Sequence, residues 1–264
     1  MGRILDRSSD LGDRVHRRIR AVLAVVLAVA ALPLSAVATA APAGAQTGAT
    51  PIALYDFEDG AGTTVADSSG VGAPLDLTIA DPGAVVWTPD GLDVTGSTTI
   101  QSPGAASKVN DAVAASGEFT VEAWLVPDNT TQGGPARVVN VGADPLNRNV
   151  MLGQGAFGSL PDDVFTGRVR STGSDNNGNP TFFTPAGTAT TNLTHVVLTR
   201  DAAGVQTLYV DGVAEETVTV AGTTANWTAS FPLTLANDAD GSRPWNGTIC
   251  SVAINDTALS AVDV

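Results

Sequence analysis

The carboxylates of this chain are numerous but poorly spaced for acid–base chemistry. Hydrolysis of a glycosidic bond needs two carboxyl groups about 5–5.5 Å apart for retention, or about 6.5–9.5 Å for inversion. Glu118 and Glu122 share one face of an alternating stretch, yet along a strand they stand roughly 13 Å apart. Glu215 and Glu216 are adjacent and point to opposite faces. Asp162-Asp163 falls in a Pro/Asp loop. All of these read as solvated strand and turn acids. His195 is the sole histidine after residue 45, so a His-rich zinc site is excluded there. No G-x-S-x-G precedes it to supply a nucleophile. It alternates with core-facing Val196 and Leu198, so it lies on the opposite face as a surface or hydrogen-bonded histidine. Cys250 is the only cysteine, which rules out an intrachain disulfide; on a face with Val252 and Ile254 it is a buried, inert thiol. No catalytic residue is assigned.

Recognition chemistry has better material. Sugar binding wants an exposed aromatic platform with amides or carboxylates beside it. If Phe119, Val121 and Leu125 face a core, Glu122 and Trp124 face outward. Trp227 sits in the polar run Asn226-Trp227-Thr228 and is expected to be exposed. Phe182 follows an Asn-rich loop and could rim a cleft, whereas Trp245 should pack under the last strand. The candidate ligand-binding set is therefore Trp227, Trp124, Glu122 and Phe182. Calcium takes six to eight oxygens from carboxylates, amides and carbonyls. Glu58, Asp59, Asp67 and Gly70 gather such groups around a Gly-rich turn, and no Lys or Arg lies between Tyr55 and Thr99 to compensate them. Asp238 and Asp240, in D-x-D-G spacing, are a weaker second candidate, and Ser174 to Asn179 a third. Asn, Asp and Gly are also ordinary turn formers, so each loop has a reading without metal.

The elements that must position these groups are strands. The 264 residues carry 28 Gly and only 15% charged residues, a balance that suits short strands and turns. Phe119 to Leu125, His195 to Arg200, Leu208 to Val210, Glu216 to Val220 and Ile249 to Ile254 alternate apolar and polar, bounded by Gly, Pro, Asn or Asp. Val210-Asp211-Gly212-Val213 is a hairpin signal. Only Asn110 to Ser116 hints at helix, about one turn. Residues 1–45 read as an export signal and linker. Arg14, Arg17, Arg18 and Arg20 flank an apolar run from Ala21 to Leu32, and A-x-A sites follow at Ala38–Ala40 and Ala43–Ala45. Removing them takes away six Arg and three Asp, leaving 7 basic and 24 acidic residues and a formal charge of −17 for residues 46–264. That field repels nucleic acid and anionic lipid. After cleavage nothing remains to hold a membrane, so a secreted, single-domain protein is expected.

Four landmarks in order carry a resemblance. Tyr55 to Gly70, Phe119 to Trp124, Thr194 to Asp201 with Leu208 to Gly212, and Gly247 to Ile254 with Ala258 to Ser260 resemble laminin-G-like domains of the concanavalin A-like lectin/glucanase superfamily. The resemblance implies an all-β, two-sheet antiparallel jelly-roll sandwich over residues 46–264. It also implies a domain often carrying structural calcium near Glu58, Asp59 and Asp67, and used outside the cell to bind a glycan or a surface protein. Cys250 and Ser251 stand where the family has an acidic pair, and Leu193 where it has Trp. The E-x-D-x-x-E arrangement of hydrolases on this scaffold does not occur. A non-catalytic recognition module is expected, with a polysaccharide hydrolase or lyase and a structural spacer of a larger envelope protein as alternatives. Buried aromatics at Trp227 and Trp124 would favour the spacer.

Overall fold

Alternating apolar residues separated by turn formers build two antiparallel sheets in the computed structural model, which describes residues 49–264. The export signal expected over residues 1–45 lies outside the described residues. The first sheet runs β14 (Val213–Thr219), β13 (Val205–Val210), β12 (Thr194–Arg200), β7 (Phe119–Pro127), β16 (Gly247–Asn255), β5 (Gly91–Val94), β4 (Val85–Thr88), with β1 (Ala53–Tyr55) also paired to β16. The second runs β11 (Phe182–Phe183), β10 (Phe165–Val169), β9 (Asn147–Gln154), β8 (Ala136–Asp144), β15 (Leu233–Leu235), β6 (Ile100–Gln101), β3 (Leu77–Ile79), β2 (Thr64–Val65). No helix among the described residues is long and apolar enough to cross a membrane.

The core lies between the sheets. Phe119, Val121, Val196, Leu198, Leu208, Val210, Val252 and Ile254 are all buried in it, as their alternation predicts. The second sheet contributes Val139, Val141, Val150, Leu152, Leu233 and Leu235. Asp211 and Gly212 form the two-residue tip between β13 and β14, with φ of 49° and 82° and Val210 paired to Val213. Both central residues in the left-handed region match the right-handed twist of the flanking strands.

Two local departures from strict alternation matter. On β8, Arg137 pairs with Gly153 and Val139 with Leu152, so Val138 is an inserted bulge residue. The bulge lets Arg137 and Asn140 both face outward while Val139 and Val141 face the core. On β16, Ile249 pairs with Leu125 and Ser251 with Trp124, so Cys250 is the extra residue. Cys250 is therefore buried but off the core face that Val252 and Ile254 occupy, which corrects the shared face expected above. The single helical turn expected at Asn110–Ser116 is a ten-residue helix, α1 (Ser107–Ser116). It starts at Ala106 without a side-chain cap and ends at Gly117, whose φ is 78°. Asn110 holds it in place through bonds from Nδ2 to the carbonyls of Ala229 and Phe231.

Candidate functional site

The outward face of the second sheet concentrates cations. Arg137 projects from the β8 bulge, and Arg168 projects from β10 at a position paired with outward-facing Met151. Arg243 arrives on the loop before β16, and Arg148 is the second residue of β9. Residues 46–264 contain only seven basic side chains, and these four are the majority. Their guanidinium groups raise one another's electrostatic cost. Burial, only partly offset by Asp238, pulls Arg137 down to about 10, and Arg243 and Arg168 add to the fall. Burial first, then Arg137, pulls Arg148 down to about 9. Burial also lowers Arg168.

Three carboxylates answer them. Asp238 is buried and accepts from Arg137 Nε at 3.1 Å and from Asn140 Nδ2 at 3.1 Å. Asp144 and Asp175 act on Arg148 and Arg168 without a direct bond. Both are otherwise engaged as turn staples. Asp144 Oδ1 accepts from the amides of Leu146 and Asn147, and Asp175 Oδ1 from those of Asn177 and Asn179.

The arrangement leaves a cleft of about 180 Å³ lined by Pro135, Arg137, Leu146, Phe157, Arg168, Asn177, Arg243 and Pro145. Phe157 is 62% exposed and Leu146 65%, so two large apolar side chains stand at its edge facing water. The Arg243 guanidinium carbon lies 6.0 Å from the centre of the Phe157 ring, in cation–π range. Arg168 Nε and Asn177 Oδ1 are buried with no hydrogen-bond partner among the described residues, as are Nε and Nη1 of Arg148. These atoms lose their hydration without replacement, which adds to the cost of burying the arginines here.

The residues expected from sequence are dispersed. Trp124 and Glu122 lie together on the outward face of the first sheet, where Trp124 stacks on His195 at 4.4 Å and 12°. His195 is buried rather than on the surface, and its Nε2 is 3.7 Å from Glu122 Oε1. Trp227 is a correction: it is buried in the core 5.6 Å from Phe119, and its Nε1 donates to the Arg170 carbonyl at 2.7 Å. Its polar neighbours misled because they fasten the loop instead of solvating it; Thr228 donates its amide to Asn149 Oδ1, and Asn226 Nδ2 donates to the Ser171 carbonyl. Phe182 is likewise buried. Its ring occupies the space over Gly167, where a Cβ would fall 2.7 Å from Phe182 Cζ. Trp245 packs inside as expected and donates to Gln154 Oε1.

The acidic stretch that runs from the end of β1 to the turn after β2 does not fit calcium as it is folded. Asp67 Oδ1 accepts from the amides of Leu54 and Ser69, and Oδ2 accepts from Leu75 N and Lys108 Nζ. Lys108 reaches it from α1 at 2.5 Å, so the turn has the cation that its own stretch of sequence lacks. Glu58 and Asp59 are exposed, Asp59 Oδ2 holding the Ala66 amide, and Gly70 serves the turn at a φ of 66°. Asp238 is committed to Arg137, while Asp240 is exposed and caps Ser242 N. No group of three or more His, Cys, Asp or Glu side chains that could hold a metal forms among the described residues.

The sequence reading missed the arginines. The available signal was a charged residue inside each of two otherwise apolar strands, Ala136-Arg137-Val138-Val139 and Gly167-Arg168-Val169.

A family model described as the concanavalin A-like lectin/glucanases superfamily matches residues 100–264. No curated protein matches the chain. Several solved structures share the fold. A Trypanosoma rangeli sialidase, solved with a difluorinated sialic-acid analogue, is 15% identical with a TM-score of 0.59; the match covers 96% of this chain and 38% of that one. The fourth domain of AbnA, an extracellular arabinanase from Geobacillus stearothermophilus, was solved with arabinotriose; it is 20% identical with a TM-score of 0.55, covering 82% and 97%. A structure of botulinum neurotoxin type C, whose cell entry depends on two ganglioside molecules, is 11% identical with a TM-score of 0.57, covering 81% and 50%. The chain thus spans half or less of the toxin and sialidase chains it resembles.

Proposed function

Since the chain belongs to the concanavalin A-like lectin/glucanases superfamily, we propose that it is an exported, non-catalytic recognition module whose ligand is a glycan. The observation that carries this reading is the cleft lined by Arg137, Arg168 and Arg243, where an exposed aromatic ring stands beside the Arg243 guanidinium. An apolar surface with a few convergent polar groups is the usual make-up of a small-ligand site. Its small, concave shape suits a sugar better than the flat surface of a protein partner. The three structural neighbours are named for, or solved with, a sialic-acid analogue, arabinotriose and gangliosides, which supports a glycan for this fold.

The acids support a non-catalytic role. Glu118 holds loops, accepting from the amides of Ala202 and Ala258, and Glu122 stands beside His195. One structural finding favours the spacer alternative: Trp227 is in the core and Trp124 stacks against His195, so neither of the two expected platforms stands fully open. A glycan array probed with the purified protein, with calcium and with chelator, separates the two. Binding to a defined group of glycans, equal in both buffers, is expected. A blank array in both buffers would leave the spacer.

A further inference from the structure

The seven cations of residues 46–264 are few enough that their placement is informative. Lys108 is paired with Asp67. Arg200 is fully buried, bonded to the carbonyls of Gly204, Val220 and Gly222, and Arg170 donates to Thr228 Oγ1. Each of these three has a structural task. Arg148 is fully buried and donates to the Pro145 carbonyl, which leaves Arg137, Arg168 and Arg243 lining the cleft; Asp238 pairs with Arg137 and Asp175 acts on Arg168, so the cleft keeps a positive excess in a domain whose formal charge is −17.

Their donors are incompletely used. Arg137 engages Nε with Asp238 and Nη1 with the Pro135 carbonyl at 2.5 Å. Arg168 bonds only through Nη1, to Asn179 Oδ1 at 3.3 Å, and its Nε has no partner. No hydrogen bond from the Arg243 guanidinium forms among the described residues; its neighbour is the Phe157 ring. Clustered guanidiniums with open donors recognise planar anions through paired N–H bonds. The Phe157 ring and Leu146 offer apolar surface for the C–H face of a sugar. The volume of about 180 Å³ lies below the range of drug-sized pockets, ~300–1,000 Å³, and limits the fit to a single ring.

We propose that this cleft binds the carboxylate of one acidic sugar residue, a uronate or a sialate, carried on an otherwise neutral glycan. The inference rests on the glycan-binding reading and narrows it to a ligand class. The carboxylate lies against Arg168 and Arg243, with the ring on Phe157. A polyanion is disfavoured, because a domain of formal charge −17 repels every further negative charge.

Calorimetry or ligand-observed magnetic resonance tests this on the purified protein with sodium glucuronate, N-acetylneuraminate and glucose as probes, and with sodium sulfate as competitor. Either acidic sugar should bind at least tenfold more tightly than glucose, and the better of the two identifies the source. Arg168→Met and Arg243→Met should each weaken binding at least tenfold with unchanged melting temperature. Arg168→Lys, which keeps the charge and loses the fork, should recover only part of it. Equal binding of glucose and the acids overturns the carboxylate assignment while leaving glycan recognition intact. Competition by sulfate at the same concentration reduces the cleft to a general anion site and also overturns it. Failure of all three sugars together with a blank glycan array defeats the recognition reading itself.

Discussion

Lys108 Nζ and Asp67 Oδ2 meet at 2.5 Å, tying α1 to the acidic turn after β2 across 41 residues of sequence. The Asp67 side chain is fully buried and Lys108 is 14% exposed, so this ion pair is shielded from water on both sides. Removing Lys108 would strand a buried carboxylate. We expect Lys108→Met to cost about 3 kcal/mol, in the range for breaking a buried pair rather than a surface one. Urea melts of the two proteins measure it; a difference within error would show that the turn re-solvates Asp67 freely.

The same pair predicts indifference to calcium. All the oxygens of Asp67 already accept hydrogen bonds, one of them from a cation. The thermal midpoint should be the same in millimolar calcium and in chelator. A rise of several degrees with calcium, abolished by Asp67→Ala together with Glu58→Ala, would restore a metal to this turn.

Asp67 also sets a pH dependence. Burial pushes its carboxyl up, but Lys108 and the amides of Leu75 and Ser69 outweigh it and hold the group at about 2. An unfolded Asp titrates near ~3.9. Because the folded value is the lower one, the contribution is fully present above about pH 4 and is lost as pH falls towards 2. Melts from pH 6 to pH 2 should lose stability in that window, and Asp67→Asn should flatten the loss. A profile identical in the variant would mean that other carboxylates govern acid unfolding.

Cys250 offers a test of the β16 bulge. Burial first, then Asp90, pushes its thiol up to about 12, so almost no thiolate exists at pH 8. The thiolate is the reactive form. A thiol reagent should therefore label Cys250 only after denaturant is added. Rapid stoichiometric labelling of the native protein would place the residue at the surface.

The core was legible in the sequence because its information is local. Period-two alternation located Phe119, Val121, Val196 and Leu198, and Asp211-Gly212 announced its own turn through the φ values that it tolerates. Bulges were not legible: one extra residue at Val138 or Cys250 shifts the phase of a strand without leaving a pattern. The site was hidden for a different reason. Arg137 and Asp238 are 101 positions apart, and Lys108 lies outside the acidic stretch it neutralises, so pairing of charges depends on the fold being complete. Reading each acidic loop alone made Asp67 look uncompensated. Reading Asn226-Trp227-Thr228 as a polar surface loop had the same fault, since its polar groups bond to β9 and to the segment just after β10.

Trp227, expected at the surface, is a core residue, and Phe157 is the exposed aromatic. Trp227 is 7% exposed, in contact with Phe119, and anchored through its indole nitrogen to Arg170. Trp227→Ala should cost about 3–5 kcal/mol, the range for deleting a large buried aromatic, and the melting temperature should fall accordingly. Phe157 is 62% exposed and touches the cleft instead of the core. Phe157→Ala should change stability by no more than about 0.5 kcal/mol, as surface substitutions do, yet weaken binding of an acidic sugar at least tenfold. Measuring melting and binding on both variants gives a crossed result that neither a general loss of folding nor a general surface effect can imitate. Trp227→Ala that folds normally but loses sugar binding, with Phe157→Ala unaffected, would move the binding surface away from the arginine cleft.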